Sequence, residues 1–378
     1  GQKREVNVFV VAADSEGSVL DTVNRKEKEH KKMQHEMSQS VSRVHRKTGD
    51  IYTMNIHHES GNNWDMYLGD CVNVAEQMDD GVIDFSVYSP PFSNLYIYSD
   101  SIYDMGNSKN DEEFFSQYSY LARELHRITK DGRLTAIHCK DLPLYKNRDG
   151  AAGLKDFPGH IIQMYEDEGW TYHSRITIWK DPVIEMQRTK NHGLLYKQLC
   201  KDSSASRQGM ADYVIVMRKW GDESKWNPIS TGEERFFDYI GSTMHAPTAK
   251  NMAMARNAEE RDRLYSINVW QRYASPVWFD VQQTKVLNIK QARESKDEKH
   301  ICPLQLDVIE RAIELWSNPG EVVFSPFTGI GSEGVVSIKS GRKFIGAELK
   351  QSYFDVAVAN LKDAHVGHDD LFSMEETA

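Results

Sequence analysis

Val322–Lys350 reads VVFSPFTGIGSEGVVSIKSGRKFIGAELK. The apolar run VVFSPF has the length and β-branched content of a buried strand. A glycine-rich turn follows, then a helical stretch at Ser332–Lys339, then a second strand, FIGAEL, ending at Glu348 and Leu349. Strand, turn, helix and strand in this order predict an α/β fold with a mostly parallel sheet and helices on both faces. Gly329, Gly331 and Gly334 allow a tight turn and a close backbone approach to a ligand, and the helix beyond them offers free N–H donors. About 20 residues after the glycines, Glu348 is placed to accept the two hydroxyls of a ribose. The stretch therefore points to an adenosine cofactor. It also fits the dinucleotide fingerprint, so by itself it does not say which adenosine cofactor. Pro326-Phe327, at the mouth of the loop, would set an aromatic ring beside the ligand.

Upstream the α/β alternation continues. MYLGD reads as a strand, Cys71–Met78 as a short helix and Ile83–Tyr88 as a strand apolar enough for a buried parallel position. Phe114–Ile128 is helical, KDGR reads as a turn and LTAIHC as the next strand. Ile161–Glu168 is helical, and TYHSRITIW and DYVIVMRKW are strands separated by a polar insertion at 181–212. Leu306, Ile309, Ile313 and Trp316 mark an amphipathic helix closed by Asn-Pro-Gly.

Directly after the strand Ile83–Tyr88 stands Ser89-Pro90-Pro91-Phe92. Two prolines at a strand end donate no N–H and hold an extended backbone, so Ser89 Oγ and a nearby carbonyl are presented as rigid acceptors beside the flat ring of Phe92. That arrangement suits an aromatic amine on a flipped base. An exocyclic amine is a poor nucleophile because its lone pair is delocalised. Two acceptors favour a pyramidal nitrogen, and methyl transfer then needs positioning more than a strong base. A nicotinamide oxidoreductase is the competing reading of the glycine loop, but no distinct hydride-site acid or base motif accompanies it.

The chain has 378 residues, 39% hydrophobic and 27% charged, enough for one large α/β domain with an added module. No apolar run approaches the roughly 20 residues needed to cross a bilayer, and no signal-peptide pattern opens it. Cys71, Cys139, Cys200 and Cys302 form no C-x-x-C pair, so neither a metal site nor a disulfide framework is expected, and a reducing cytoplasm fits. The net charge of −10 argues against nucleic acid globally. Between Glu185 and Trp220, however, seven basic residues outnumber three acidic ones, a local balance of +4.

Taken together, these motifs resemble the β-class amino-methyltransferases of DNA, in which the catalytic half precedes the cofactor half. The resemblance runs from about Met66 to Leu361. It implies a Rossmann-like, circularly permuted methyltransferase fold using S-adenosyl-L-methionine. YLGDC followed by VIDFSVYSPPF implies that Asp70 and Cys71 meet the cofactor and that Ser89, Pro90, Pro91 and Phe92 form the catalytic motif. HICPLQLDVIERAIELW implicates His300, Cys302 and Gln305 at the methionine end, and the glycine loop brings Ser325, Pro326, Phe327, Gly329 and Gly331. FIGAELK supplies Glu348 and Leu349. The chain departs from the family at Ser325, where Asp is usual, and at Glu333-Gly334, where a hydroxyl pair is frequent. Ser at the first catalytic position leans toward cytosine N4, with adenine N6 the alternative. Methylation at cytosine carbon 5 needs a nucleophilic cysteine, and no Pro-Cys dipeptide is present. An inactive DNA-binding accessory subunit is a third reading, opposed by the intact Ser89–Phe92 and Glu348.

The expected partner is double-stranded DNA. Lys180, Lys190, Lys197, Lys201 and Arg207 are candidate phosphate contacts. The expected organisation is an N-terminal arm (1–60), a catalytic half (61–220), a recognition region (221–299), a cofactor half (300–363) and a frayed acidic tail (364–378). The arm, VNVFVVAAD with the charged stretch after it, resembles the tail of a helicase motor lobe. Together with the start at Gly1, this suggests a helicase fused to or associated with the chain. The oligomeric state is left open, with a homodimer among the readings.

Overall fold

The computed structural model describes residues 56–93, 104–108, 110–144, 146–189, 194–206, 208–229, 272–288 and 303–373. The reading of the N-terminal arm therefore lies outside the described residues except at its last few positions, and so do the expectations for Lys190, Arg207, His300 and Cys302.

One nine-stranded sheet organises the chain. Its strands are β1 (His57–Gly61), β2 (Trp64–Leu68), β3 (Ile83–Tyr88), β4 (Thr129–Lys140), β5 (Thr171–Ile178), β6 (Asp212–Arg218), β7 (Val277–Trp278), β8 (Val322–Ser325) and β9 (Lys343–Glu348). Their spatial order is β1-β2-β9-β8-β3-β4-β6-β5-β7. From β2 to β4 all neighbours pair in parallel, and β6 runs against both β4 and β5. All six residues of β3 are buried, as a central strand covered on both faces requires.

Helices cover the two faces. On one lie α1 (Cys71–Glu76), α2 (Asp111–Ile128) and α3 (Phe157–Asp167), with Val74, Leu121, Leu125 and Ile161 in a common core. The other carries α6 (Leu306–Trp316), α7 (Ser332–Lys339) and α8 (Gln351–Ser373), with Ile309, Ile313, Val336 and Leu361 packed on Phe85 and Phe344. Each fully buried side chain of this kind contributes about 1.5–3 kcal/mol, so the two apolar faces fix which way each helix lies. The insertion holds two short helices, α4 (Pro182–Thr189) and α5 (Tyr196–Lys201).

Three features differ from the sequence reading. KDGR is not a turn ahead of the strand. β4 runs through it, and its register against β3 jumps from Ile83↔Thr129 to Phe85↔Leu134, so the segment bulges out at Gly132, φ 79°, and pairing resumes. In the expected irregular region, Val277–Trp278 joins the sheet as the edge strand β7, with Trp278 buried to 1% exposure. The last helix continues to Ser373, past the boundary expected at 363.

Candidate functional site

Parallel pairing brings the C-terminal ends of β2, β9, β8, β3 and β4 to one edge of the sheet, where open α/β sheets bind ligands. Asp70 and Cys71 follow β2, Ser89–Phe92 follow β3, Ser325–Gly331 follow β8, and Glu348 and Leu349 close β9. Gln305, the N-cap of α6, is delivered to the same edge because α6 leads back into β8. All the expected catalytic and cofactor residues that are described thus converge there.

The glycine loop has the backbone its sequence demands. Gly329 and Gly331 adopt φ 54° and 91°, the left-handed region that side chains resist. A Cβ on Gly331 would press against the Ala357 backbone at 3.2 Å, whereas one on Gly329 would meet nothing within 4 Å. The Gly329 N–H donates to Glu348 Oε2 at 2.8 Å, and Lys350 N–H donates to Oε1 at 3.0 Å. Burial pushes the Glu348 carboxyl up to about 7 against these two bonds. Glu333, in the first turn of α7, is buried and pushed up to about 8, with Glu348 adding to the effect of burial. Gln305 Oε1, Ser325 Oγ and Ser332 Oγ are buried acceptors without a hydrogen-bond partner among the described residues.

Asp70 caps α1: its Oδ1 accepts from Val72 N at 3.0 Å and Asn73 N at 3.1 Å. Burial raises its carboxyl against those bonds. The Cys71 side chain faces the core, and burial drives its thiol far up. Any contact from Cys71 to a ligand would therefore be through its backbone.

The Ser89–Phe92 corner is held from three sides. Pro90 and Pro91 are buried, and Phe92 is half-buried with its ring edge-on to Phe157 at 6.2 Å and Lys140 Nζ 5.6 Å from its centre. Ser93, the next residue, adopts φ 52°, and its hydroxyl donates to Asp111 Oδ1 at 2.5 Å, while Lys155 pairs with Asp111 Oδ2. Burial opposes ionisation of Asp111, but Lys155 and Ser93 outweigh it and hold the carboxyl below its ordinary value. Beneath the corner, the buried hydroxyls of Tyr88, Tyr118 and Tyr165 bond to one another. Phe327 from the glycine loop lies against Tyr88, ring centres 5.8 Å apart.

Sequence reasoning missed what stands behind Ser89. Its Oγ is 3.2 Å from His138 Nδ1 and 3.3 Å from the His138 carbonyl oxygen. His138 Nε2 lies 3.2 Å from Asp212 Oδ2, and Lys180 Nζ reaches the same oxygen at 2.5 Å. Lys180, expected on the DNA face, is largely buried and turned inward, with a further bond to Gln283 Oε1 at 2.5 Å. Its charge balances Asp212 and does not stand free for a phosphate. Lys197 and Lys201 are exposed on α5. The only available signal was that His138, Lys180 and Asp212 are polar residues at strand ends of this same edge.

Comparison with known proteins follows the same lines. A family model described as DNA methylase, of the N6 and N4 type, matches residues 83–359. The orphan methyltransferase M.BamHII of Bacillus amyloliquefaciens is 23% identical over 295 residues, 78% of this chain and 94% of the relative. The DNA adenine methyltransferase YhdJ of Escherichia coli is 35% identical over 80 residues, 21% of this chain and 27% of the relative. A DNA modification methylase of Thermus thermophilus, TTHA0409, solved with S-adenosyl-L-methionine, shares the fold with a TM-score of 0.51 at 17% identity, over 80% of this chain and 94% of that one.

Proposed function

The chain belongs to the N6/N4 DNA methylase family, and from that premise we propose that it methylates the N4 amine of a flipped cytosine between Ser89 and the glycine loop. DNA is the substrate, and the methyl donor of the reaction is S-adenosyl-L-methionine. The residues present suit that donor. The Glu348 carboxylate matches a ribose diol, the open space over Gly329 admits a close approach, and Gln305 Oε1, Ser325 Oγ and Ser332 Oγ offer unmet acceptors for an amino-acid moiety.

The bound donor supplies an electrophilic methyl group on a sulfonium. Ser89 and a neighbouring carbonyl take the two N–H bonds of the base amine and localise its lone pair, while buried Pro90 and Pro91 keep that corner rigid. Phe92 gives the base a ring to stack on. Lys197 and Lys201, exposed on α5, meet DNA phosphates. The observation that carries this reading is the contact of Phe327 with Tyr88, 5.8 Å between ring centres, because it couples the cofactor loop to the residue preceding Ser89.

The test is to incubate the protein with methyl donor and phage DNA, digest the DNA, and identify the modified nucleoside by mass spectrometry. N4-methylcytosine is expected. N6-methyladenine is the second reading, favoured by the similarity to the E. coli protein named as an adenine methyltransferase. Its appearance alone would overturn the base assignment.

A further inference from the structure

The Ser89 hydroxyl is backed by a chain of polar side chains drawn from separate segments. Ser89 Oγ, His138, Asp212, Lys180 and Gln283 follow one another at 3.2, 3.2, 2.5 and 2.5 Å. Gln305 Nε2 closes the far end by donating to Gln283 Oε1 at 3.4 Å, so the chain runs from the catalytic corner to the N-cap of α6. Asp212 is 5% exposed and His138 8%. Burial would raise the Asp212 carboxyl, but His138 and Lys180 outweigh it and hold it far below the carboxylate range. Asp212 is therefore an anion with acceptor lone pairs only, and the His138 Nε2 facing it carries a hydrogen.

That fixes the other ring nitrogen. In the neutral ring Nδ1 is an acceptor, and so is the His138 carbonyl. Both draw the Ser89 O–H inward and leave the outward lone pairs of Oγ for an amine N–H. If the ring were protonated, Nδ1 would donate to Ser89 and occupy one of those lone pairs. It would also place a cation behind a hydroxyl that faces an amine becoming cationic. Asp212 from β6 meets the ring's outer end, and Lys180 from the loop after β5 pairs with the same Asp212 oxygen, setting an opposite charge beside it.

We propose that His138 is a positioning residue for methyl transfer: oriented by Asp212, it takes the Ser89 hydroxyl proton in a hydrogen bond at Nδ1 and makes Ser89 an acceptor for the target amine. This rests on the reading that Ser89 faces that amine. No covalent bond to the histidine is involved. The C–S bond breaks as the C–N bond forms, sulfur keeps the electron pair, and the amine proton leaves afterwards.

Two measurements test it. The first is the ¹⁵N spectrum of the imidazole in the free protein, assigned by the signal missing from His138→Asn. It should show hydrogen on Nε2 and a bare Nδ1. The second is single-turnover methylation of the phage DNA at saturating methyl donor. His138→Ala should be slower by about 10²-fold at neutral pH with donor affinity within about twofold. His138→Asn, whose Oδ1 can stand where Nδ1 stood, should recover most of the rate. A wild-type rate in His138→Ala, no recovery in His138→Asn, or a hydrogen on Nδ1 would each overturn the proposal. If His138→Ala does not fold, the spectrum and the Asn variant decide. Ser89→Ala run alongside separates the two levels: full activity there defeats the site reading itself, whereas a slow Ser89→Ala with a normal His138→Ala defeats only the role of His138.

Discussion

Glu348 Oε2 accepts the Gly329 N–H at 2.8 Å, so the acid closing one strand is tied to the loop that follows its neighbour. Burial has pushed this carboxyl up to about 7. On the proposed reading it is the ionised form that accepts the ribose hydroxyls. Affinity for S-adenosylmethionine should therefore hold above pH 7 and fall as pH drops through about 7, by up to about tenfold per pH unit for one proton. Titration calorimetry at pH 6 and pH 8 checks this. Glu348→Gln should bind weakly at both and lose the slope.

Glu333 sits in the first turn of α7, buried and raised to about 8. A carboxyl raised on folding gives stability that is complete below its unfolded value and is lost as pH rises through the folded value. The protein should weaken between about pH 5 and 8 on this account. Glu333→Gln, which imitates the protonated acid, should flatten that loss and gain roughly 2 kcal/mol or more at pH 8.5. Urea unfolding at both pH values measures it. A variant less stable than wild type at pH 8.5 would contradict the assignment.

The two glycines of the loop should fail differently. At Gly331 an added Cβ meets both a left-handed φ and the Ala357 backbone, so Gly331→Ala should cost about 2 kcal/mol of stability before any ligand is considered. At Gly329 the space is open, and Gly329→Ala should cost only about 1 kcal/mol for its φ. Its donor affinity should nevertheless fall, because the methyl stands where the ligand approaches. Thermal unfolding with and without donor separates the two.

Much of this arrangement is legible in the sequence because its signals are local. The runs at Ile83–Tyr88 and Ser332–Lys339 appear with the limits read from the sequence. The loops after β3 and β8 meet because parallel strands must end together. What is not legible depends on distant partners. KDGR has turn composition, yet β3 pairs on either side of it and the segment becomes a bulge. β7 is two residues long and has no periodicity, so only the neighbouring β5 defines it. Lys180 reads as a surface cation until Asp212 is beside it. His138 is a polar residue in the mostly apolar run LTAIHC until Ser89 and Asp212 flank its ring.

Ser93 holds the corner from behind, with φ 52° stabilised by its bond to Asp111. Ser93→Ala keeps the strain and loses the bond, so it should destabilise by about 1–3 kcal/mol. Ser93→Gly relieves the strain and should lie closer to wild type. Both should lower turnover more than donor affinity. Equal stability for the two variants would mean that the backbone at this corner is unstrained.

On the proposed reading, Ser89 acts on the base amine in a cleft whose cofactor wall it does not build. Ser89→Ala measures it directly, with donor affinity by calorimetry and methyl transfer to DNA by single turnover on one preparation. Donor affinity should stay within about twofold of wild type, and transfer should slow by about 10²-fold or more. Transfer at the wild-type rate, or a loss that follows donor affinity alone, would contradict it.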